Sequence, residues 1–407
     1  MSELLLTGIS QVVTSFGAGP KHGAAMGQLR MIQEAAIAID AGVISWIGPE
    51  RDWRGSAESV VDLRNRAVVP GLIDPHTHAV WAGDRLVDFE ARSAGATYEE
   101  ILAAGGGIWH TIRETAERSS EEMAALALPR VQALQRSGAT TIEVKSGYGY
   151  TFEAELRMLE AIRLLQKQIR SQLVPTLLIH ICPEERAERE TYREMVCAEM
   201  IPEVARRRLA RTVDIFVERH AWSADDARIV LSCAKTAGLS IKLHTEQFQR
   251  VGGLEMGLGM GAMSIDHLEA CSLDQCELVA RSKTIATILP GVSLHLGLPT
   301  APGRALVDAG AAVAIGTDLN PGSSPLFSTA AAMGLAVRLN GLTAPEALNA
   351  STVNAAAALG LSNVGRLEVG MQADLLVLAS SDWRDLPYTL GQNMVHEVWI
   401  AGRKQAA

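Results

Sequence analysis

Along the chain, short runs of apolar and β-branched residues alternate with longer stretches whose apolar side chains fall every three or four positions. The runs predict strands at 67–78, 140–145, 174–180, 212–217, 240–244, 263–268, 285–290 and 312–317. The intervening segments, 119–136, 151–168 and 224–237 among them, carry the stripe of a helix that lays one face on a sheet. Eight alternations of strand and helix favour a closed (β/α)8 TIM-like barrel over an open doubly wound sheet.

The ends of the chain follow a different rhythm. Segments 4–9, 35–39 and 43–47 read as short strands, two of them joined by the turn residues Asp40-Ala41-Gly42, and 373–378 and 395–400 read as two more. One small composite β-sandwich domain, 1–65 plus 361–407, is therefore expected beside a catalytic barrel of 66–360. Internal repeats, low-complexity tracts and long linkers are not evident in the sequence.

Composition narrows the class. With 48% hydrophobic and 20% charged residues the chain has the profile of a soluble α/β protein, and a net charge of −9 speaks against a nucleic-acid or anionic-membrane partner. The five cysteines are scattered without a CxxC pair, which fits reduced thiols in a cytoplasm better than a disulfide framework or a thiolate zinc site. The opening MSELLLTGIS lacks a basic segment followed by a long apolar one, so a cytoplasmic location is expected. A small-molecule substrate is the expected partner, and a symmetric homodimer is the default assembly.

In such a barrel the chemistry sits at the C-terminal ends of the strands. The first run ends Asp74-Pro75-His76-Thr77-His78, and strand alternation turns His76 and His78 to the same side, where two imidazoles can meet one cation. The fifth run ends at His244, and just past the eighth comes Gly316-Thr317-Asp318. Alone, His244 or Asp318 is more often a structural hydrogen-bonding group; at the ends of strands that face each other across one mouth, they complete a ligand set. Three neutral imidazoles and one carboxylate leave a divalent cation net positive, able to polarise a carbonyl and acidify water. His267, at the end of the sixth run, would be a further ligand or, preferably, a base that aligns the water. The fourth run, Asp214-Ile215-Phe216-Val217-Glu218, offers no lysine for a bridging role, so one metal is expected, zinc or iron alike. The histidines at 22, 110, 220, 295 and 396 are read as surface or core residues.

The PGLIDPHTH stretch and the later ADLLVL strand resemble the amidohydrolase superfamily, over residues 4–403. Within it the chain is similar to the imidazolonepropionase family, through HTHAVWAGDR at 76–85, GGGI at 105–108, EVKSGYG at 143–149, VDIF at 213–216, HTEQF at 244–248, DHLE at 266–269 and GTDLNPGSS at 316–324. The resemblance implies hydrolytic ring opening of 4-imidazolone-5-propanoate to N-formimidoyl-L-glutamate in histidine degradation. It implies zinc or iron on His76, His78, His244 and Asp318, and His267 as the histidine that orients the nucleophilic water. Arg85, Tyr148, His180, Gln247 and Ser323 match positions that bind substrate, while Asn320 and Gly322 match positions near the product. Two stretches depart from the family pattern. The segment Gly291-Val292-Ser293-Leu294-His295-Leu296-Gly297-Leu298 stands where a FLRET-like sequence is usual, and Ile179-His180-Ile181-Cys182-Pro183 where a GAHAVP-like sequence is usual. Both loops are expected at the pocket. A related amidohydrolase or deaminase acting on another nitrogen heterocycle would use similar ligands in a differently lined pocket, and stays as the alternative.

Overall fold

A computed structural model describes residues 1–97, 100–101 and 104–405. The first four strands are β1 (Ser2–Ser15), β2 (Leu29–Asp40), β3 (Val43–Pro49) and β4 (Ala57–Pro70). Then come β5 (Leu72–Asp74), β6 (Ala139–Lys145), β7 (Gln172–Ile179), β8 (Thr212–Val217), β9 (Ser240–Ile241), β10 (Leu243–Thr245), β11 (Ser264–His267), β12 (Ile285–Ile288) and β13 (Val313–Ile315). They pair in parallel in the order β5-β6-β7-β8-β10-β11-β12-β13, with β9 on β8 as the opening of the fifth barrel strand. All seven residues of β6 are buried, which is why its sequence reads as a nearly continuous run: helices cover one face and the barrel interior the other.

The ring closes between its first and last strands. Thr77 bridges Leu319 in parallel, Asp318 N–H donates to His76 O at 3.0 Å, and His78 N–H donates to Leu319 O at 2.9 Å. Beneath them Asp74 accepts from the Thr317 hydroxyl at 2.6 Å and the Thr317 amide at 3.1 Å. Two expected strands are corrected by the structure. The run 67–78 divides at Gly71: β4 stays in another sheet to Pro70, and the barrel begins at Leu72. Gly71 is the crossing point, where a Cβ would lie 2.3 Å from Thr140 Oγ1. The run 285–290 ends at Ile288, because Pro290 opens the helix Pro290–Leu296.

The termini supply one seven-stranded sheet, completed by β14 (Leu375–Leu378), β15 (Val395–Ile400) and β16 (Arg403–Lys404), in the order β16-β15-β14-β4-β1-β2-β3. It bends back on itself, so that Val43 at its edge bridges Gln372 and Ile44 N–H donates to Met371 O at 2.9 Å. The layers of the expected sandwich thus belong to one continuous sheet, and β4 carries it past the expected division at 65/66. Strand alternation decides the two faces. Val68, Leu375 and Val377 fill the concave core with Leu6, Ile9 and Ile37, while Ala67, Val69, Leu376 and Leu378 join the barrel's core. Each fully buried leucine contributes about 1.5–3 kcal/mol, so this face holds the sheet firmly against the barrel.

The helices start where capping chemistry dictates. Ser119 and Glu122 form a capping box on Ser120–Arg136, the Thr151 hydroxyl accepts from Ala154 N–H at Phe152–Gln166, and Ser223 accepts from Asp226 N–H at Ala224–Thr236. No helix among the described residues is long and apolar enough to cross a membrane.

Candidate active site

The barrel mouth gathers the expected ligands. His76, His78 and His244 each offer a ring nitrogen within 4.8 Å of the others, and His76, His267 and Asp318 form a second such group. Asp318 Oδ1 lies 3.4 Å from His76 Nε2 and 3.2 Å from His78 Nε2, and His244 Nε2 lies 3.4 Å from His78 Nε2. Donors about 2.1 Å from one tetrahedral ion would stand about 3.4 Å apart, so the spacing fits a single divalent cation. His76 Nε2 and Asp318 Oδ1 are buried and make no hydrogen bond. Orphaned polar atoms cost about 1–3 kcal/mol each, a penalty that coordination would remove.

Burial and neighbours set the charges. Burial holds His78 below the ordinary histidine range and, with His76 beside it, holds His244 well below it, leaving both as neutral imidazoles ready to ligate. Burial alone would lift Asp318, but the imidazoles of His76 and His78 close beside it outweigh that and hold the carboxyl well below its ordinary value. His267 behaves oppositely: burial opposes its charge, yet Glu269 beside it raises its pKa above the ordinary value. The backbone is strained here as well. His267 and Asp318 have φ of 87° and 50°, a left-handed region that costs a side-chain-bearing residue of order 1–3 kcal/mol.

A cavity of about 720 Å³ opens above the ligands, bordered by His78, His244, His267 and Asp318, with His76 recessed from its lining. Tyr148, His180 and Gln247 line it too, with the His180 ring stacked 5.5 Å from His78 and tilted against Tyr148 at 5.6 Å. Burial pushes the His180 imidazole down to about 3, with His78 adding to the effect. Arg85 borders the cavity against Gly322, where a Cβ would stand 3.1 Å from its Nη1. The Arg85 Nε–H donates to Asp88, and the loop before it is braced by Arg130, which donates to Ala79 O and Trp81 O and stacks over the Trp81 ring. Ser323 lines the cavity with its hydroxyl 3.4 Å from Asp318 Oδ2. The Asn320 amide is committed to its own loop: Nδ2 donates to Asp318 O and Ser323 Oγ, and Oδ1 accepts from the Gly322 and Ser323 amides. Both divergent loops border the pocket, through Ile181 and Cys182 and through Leu296 and Leu298.

Sequence reasoning missed a layer of charge under the ligands. Glu143, Lys145, Asp214, Lys242 and Asp266 are fully buried in the barrel. The signal was present as charges at alternate positions of β-branched runs, as in Thr141-Ile142-Glu143-Val144-Lys145.

A parallel eight-stranded barrel whose mouth holds three imidazoles and a carboxylate in metal-ligand spacing defines a metal-dependent hydrolase, and residues 67–404 match the amidohydrolase family. Among solved structures the chain superimposes on an adenosine deaminase from Xanthomonas campestris (TM-score 0.74, 20% identity, 99% of this chain and 92% of that one). It also superimposes on a 5-methylcytosine deaminase from Klebsiella pneumoniae (TM-score 0.73, 17% identity, 98% and 96%). At such identities these share the fold alone. Sequence relatives are far more specific: the imidazolonepropionase of Deinococcus radiodurans is 59% identical over 403 residues, covering 99% of each chain. That of Chloroflexus aggregans is 44% identical over 417 residues, covering 98% of each. The chain belongs to the imidazolonepropionase family of amidohydrolases.

Proposed function

We propose that the chain opens the ring of 4-imidazolone-5-propanoate to give N-formimidoyl-L-glutamate, a step of histidine degradation in the cytoplasm. His76, His78, His244 and Asp318 hold one zinc or iron ion, and the barrel that opens at Leu72 carries the site while the terminal unit braces it. The observation that carries this reading is that one cavity is bordered both by His78, His244 and Asp318 of the candidate metal set and by an arginine, Arg85, able to grip an anionic tail. When bound, the metal supplies Lewis acidity for the ring carbonyl and acidifies the attacking water.

The protein's own groups do the rest. Water oxygen bonds to the ring carbonyl carbon, and the bond from that carbon to the neighbouring ring nitrogen breaks. Asp318, kept ionised, takes the water proton and passes it to the departing nitrogen. His267, favoured in its charged form by Glu269, aligns the water and stabilises the oxyanion. Arg85 pairs with the propionate, and Tyr148, His180, Gln247 and Ser323 orient the substrate, with Asn320 and Gly322 shaping the loop beside the product. The test is to incubate metal-replete protein with freshly generated imidazolonepropanoate and follow loss of its ultraviolet absorbance. Turnover without ammonia supports ring opening; released ammonia would make the protein a deaminase instead.

A further inference from the structure

Five acidic and basic side chains sit beneath the candidate ligands with no exposure at all, and the chemistry above uses none of them. Such a cluster is expensive. Each buried ion loses several kcal/mol of hydration, and apolar replacements of buried ion pairs are often neutral or stabilising, so fold stability alone does not account for it.

The geometry is ordered. Lys145 Nζ lies 2.7 Å from Asp214 Oδ2, and the same oxygen lies 2.9 Å from His244 Nδ1, close but outside hydrogen-bond geometry. Lys242 Nζ lies 3.2 Å from Asp266 Oδ2, and that oxygen lies 2.6 Å from His76 Nδ1. Glu143 joins the two chains, 2.7 Å from Lys145 Nζ and 3.0 Å from Lys242 Nζ. Lys242 also donates to Pro75 O at 2.8 Å, one residue before the His76 ligand. His76, Glu143 and Asp266 are themselves close enough to share a cation, and the two ammonium groups meet that demand.

We propose that Lys145 and Lys242 are positioning residues: each holds an aspartate beside Nδ1 of a ligand imidazole, hydrogen-bonded at His76 and in close approach at His244, limiting the ring angle and tautomer that present Nε2 of His244 and His76 to the metal. Partners of this kind typically govern metal affinity by 10–100-fold. The two chains are not equal. Asp266 also accepts from Ser264 Oγ at 2.5 Å, whereas Asp214 Oδ1 has no hydrogen-bond partner and its Oδ2 relies on Lys145. Lys145 is therefore the more critical of the pair. The inference rests on the ligand assignment made above.

The test measures metal affinity of the metal-replete protein by competition with a chromophoric zinc chelator, alongside the melting temperature of the metal-free form. Lys145→Met should weaken zinc retention by about 10–100-fold, Lys242→Met by less, and Asp214→Asn by about as much as Lys145→Met. The double variant Lys145→Met/Asp214→Asn should lose no more than the worse single, because both act through one imidazole. It removes opposite charges together and so remains informative if the single lysine variant does not fold. In the parental protein, two slowly exchanging imidazole N–H resonances from His76 and His244 are expected. Parental zinc affinity in a folded Lys145→Met, multiplying losses in the double variant, or absence of both resonances would overturn the inference. Zinc retention by His244→Ala would instead overturn the ligand assignment beneath it.

Discussion

Replacing Arg85 with Met removes the guanidinium proposed to hold the propionate while keeping much of the side chain's volume. The structure bounds the loss. The Arg85 Nε–H is committed to Asp88, and Nη1 reaches Thr111 Oγ1 only at 3.5 Å, so both terminal nitrogens are open to a carboxylate. Two hydrogen bonds to a charged group contribute about 3–6 kcal/mol. Asp88 neutralises part of that charge, which brings the expectation to about 2–4 kcal/mol. At 1.4 kcal/mol per tenfold, kcat/KM should fall roughly 30- to 700-fold. Asp88 is buried and would remain behind the vacated position with the Gly107 amide, at 3.0 Å, to hold it. Its unpaired charge would repel an anion, so Arg85→Met/Asp88→Asn should recover part of the loss. The assay is the ultraviolet decay of substrate, run with imidazolonepropanoate and with an analogue lacking the carboxylate. The parental protein should discriminate strongly between the two and the variant hardly at all. Equal discrimination by both would show that another group reads the carboxylate.

Four further outcomes are expected. His244→Ala should lose most of its metal, measured by elemental analysis, together with turnover; full metal content would remove His244 from the ligand set. His267→Ala should keep the metal and lower kcat by several orders of magnitude, and metal loss there would make His267 a ligand instead. Chelation should lower thermal stability, by about 4 kcal/mol when free metal had stood a thousandfold above its Kd, and an unchanged melting temperature would contradict a structural contribution from the site. Burial raises the Glu155 carboxyl above the ordinary 4.5, although the amides of Gly147, Gly149 and Tyr150 donate to it. With the folded value above the unfolded one, its stabilisation is complete below pH 4.5 and is lost as pH rises through the folded value. Glu155→Gln should flatten that part of a curve of melting temperature against pH, and an unaltered curve would refute the assignment.

The legible parts of the sequence were those where one local rule acts alone. Alternation placed His76 and His78 on one side, and buried parallel strands such as β6 announced themselves as apolar runs. The cluster of His76, His78, His244 and Asp318 could be anticipated because strand ends share one face of a barrel. What escaped was set by contacts between distant segments. Nothing local says that the run through Gly71 changes sheets; that depends on Thr140 crowding the crossing point and on Asp374 O accepting the Gly71 amide at 2.9 Å. The buried lysines were invisible for a related reason. A charge in a strand usually faces water, and only the convergence of β6, β8, β10 and β11 supplies Lys145 and Lys242 with carboxylates. Asn320 does border the cavity, but its amide is spent within its own loop, a commitment decided by turn geometry.

The order of strands in the terminal sheet has a bearing on how the protein is made. β4 lies between β1 and β14, so from its synthesis until residues 375–378 have left the ribosome, one side of β4 has no backbone partner. The barrel seam likewise waits for Leu319 to reach Thr77. During most of translation the nascent chain therefore displays an open barrel edge and an open sheet edge, both lined with apolar side chains. Open edges of that kind attract other chains, and pairings of such long sequence separation form slowly. Production of this protein should depend on chaperone capacity more than its finished form would imply, and the emergence of β14 decides when the sheet's exposure ends.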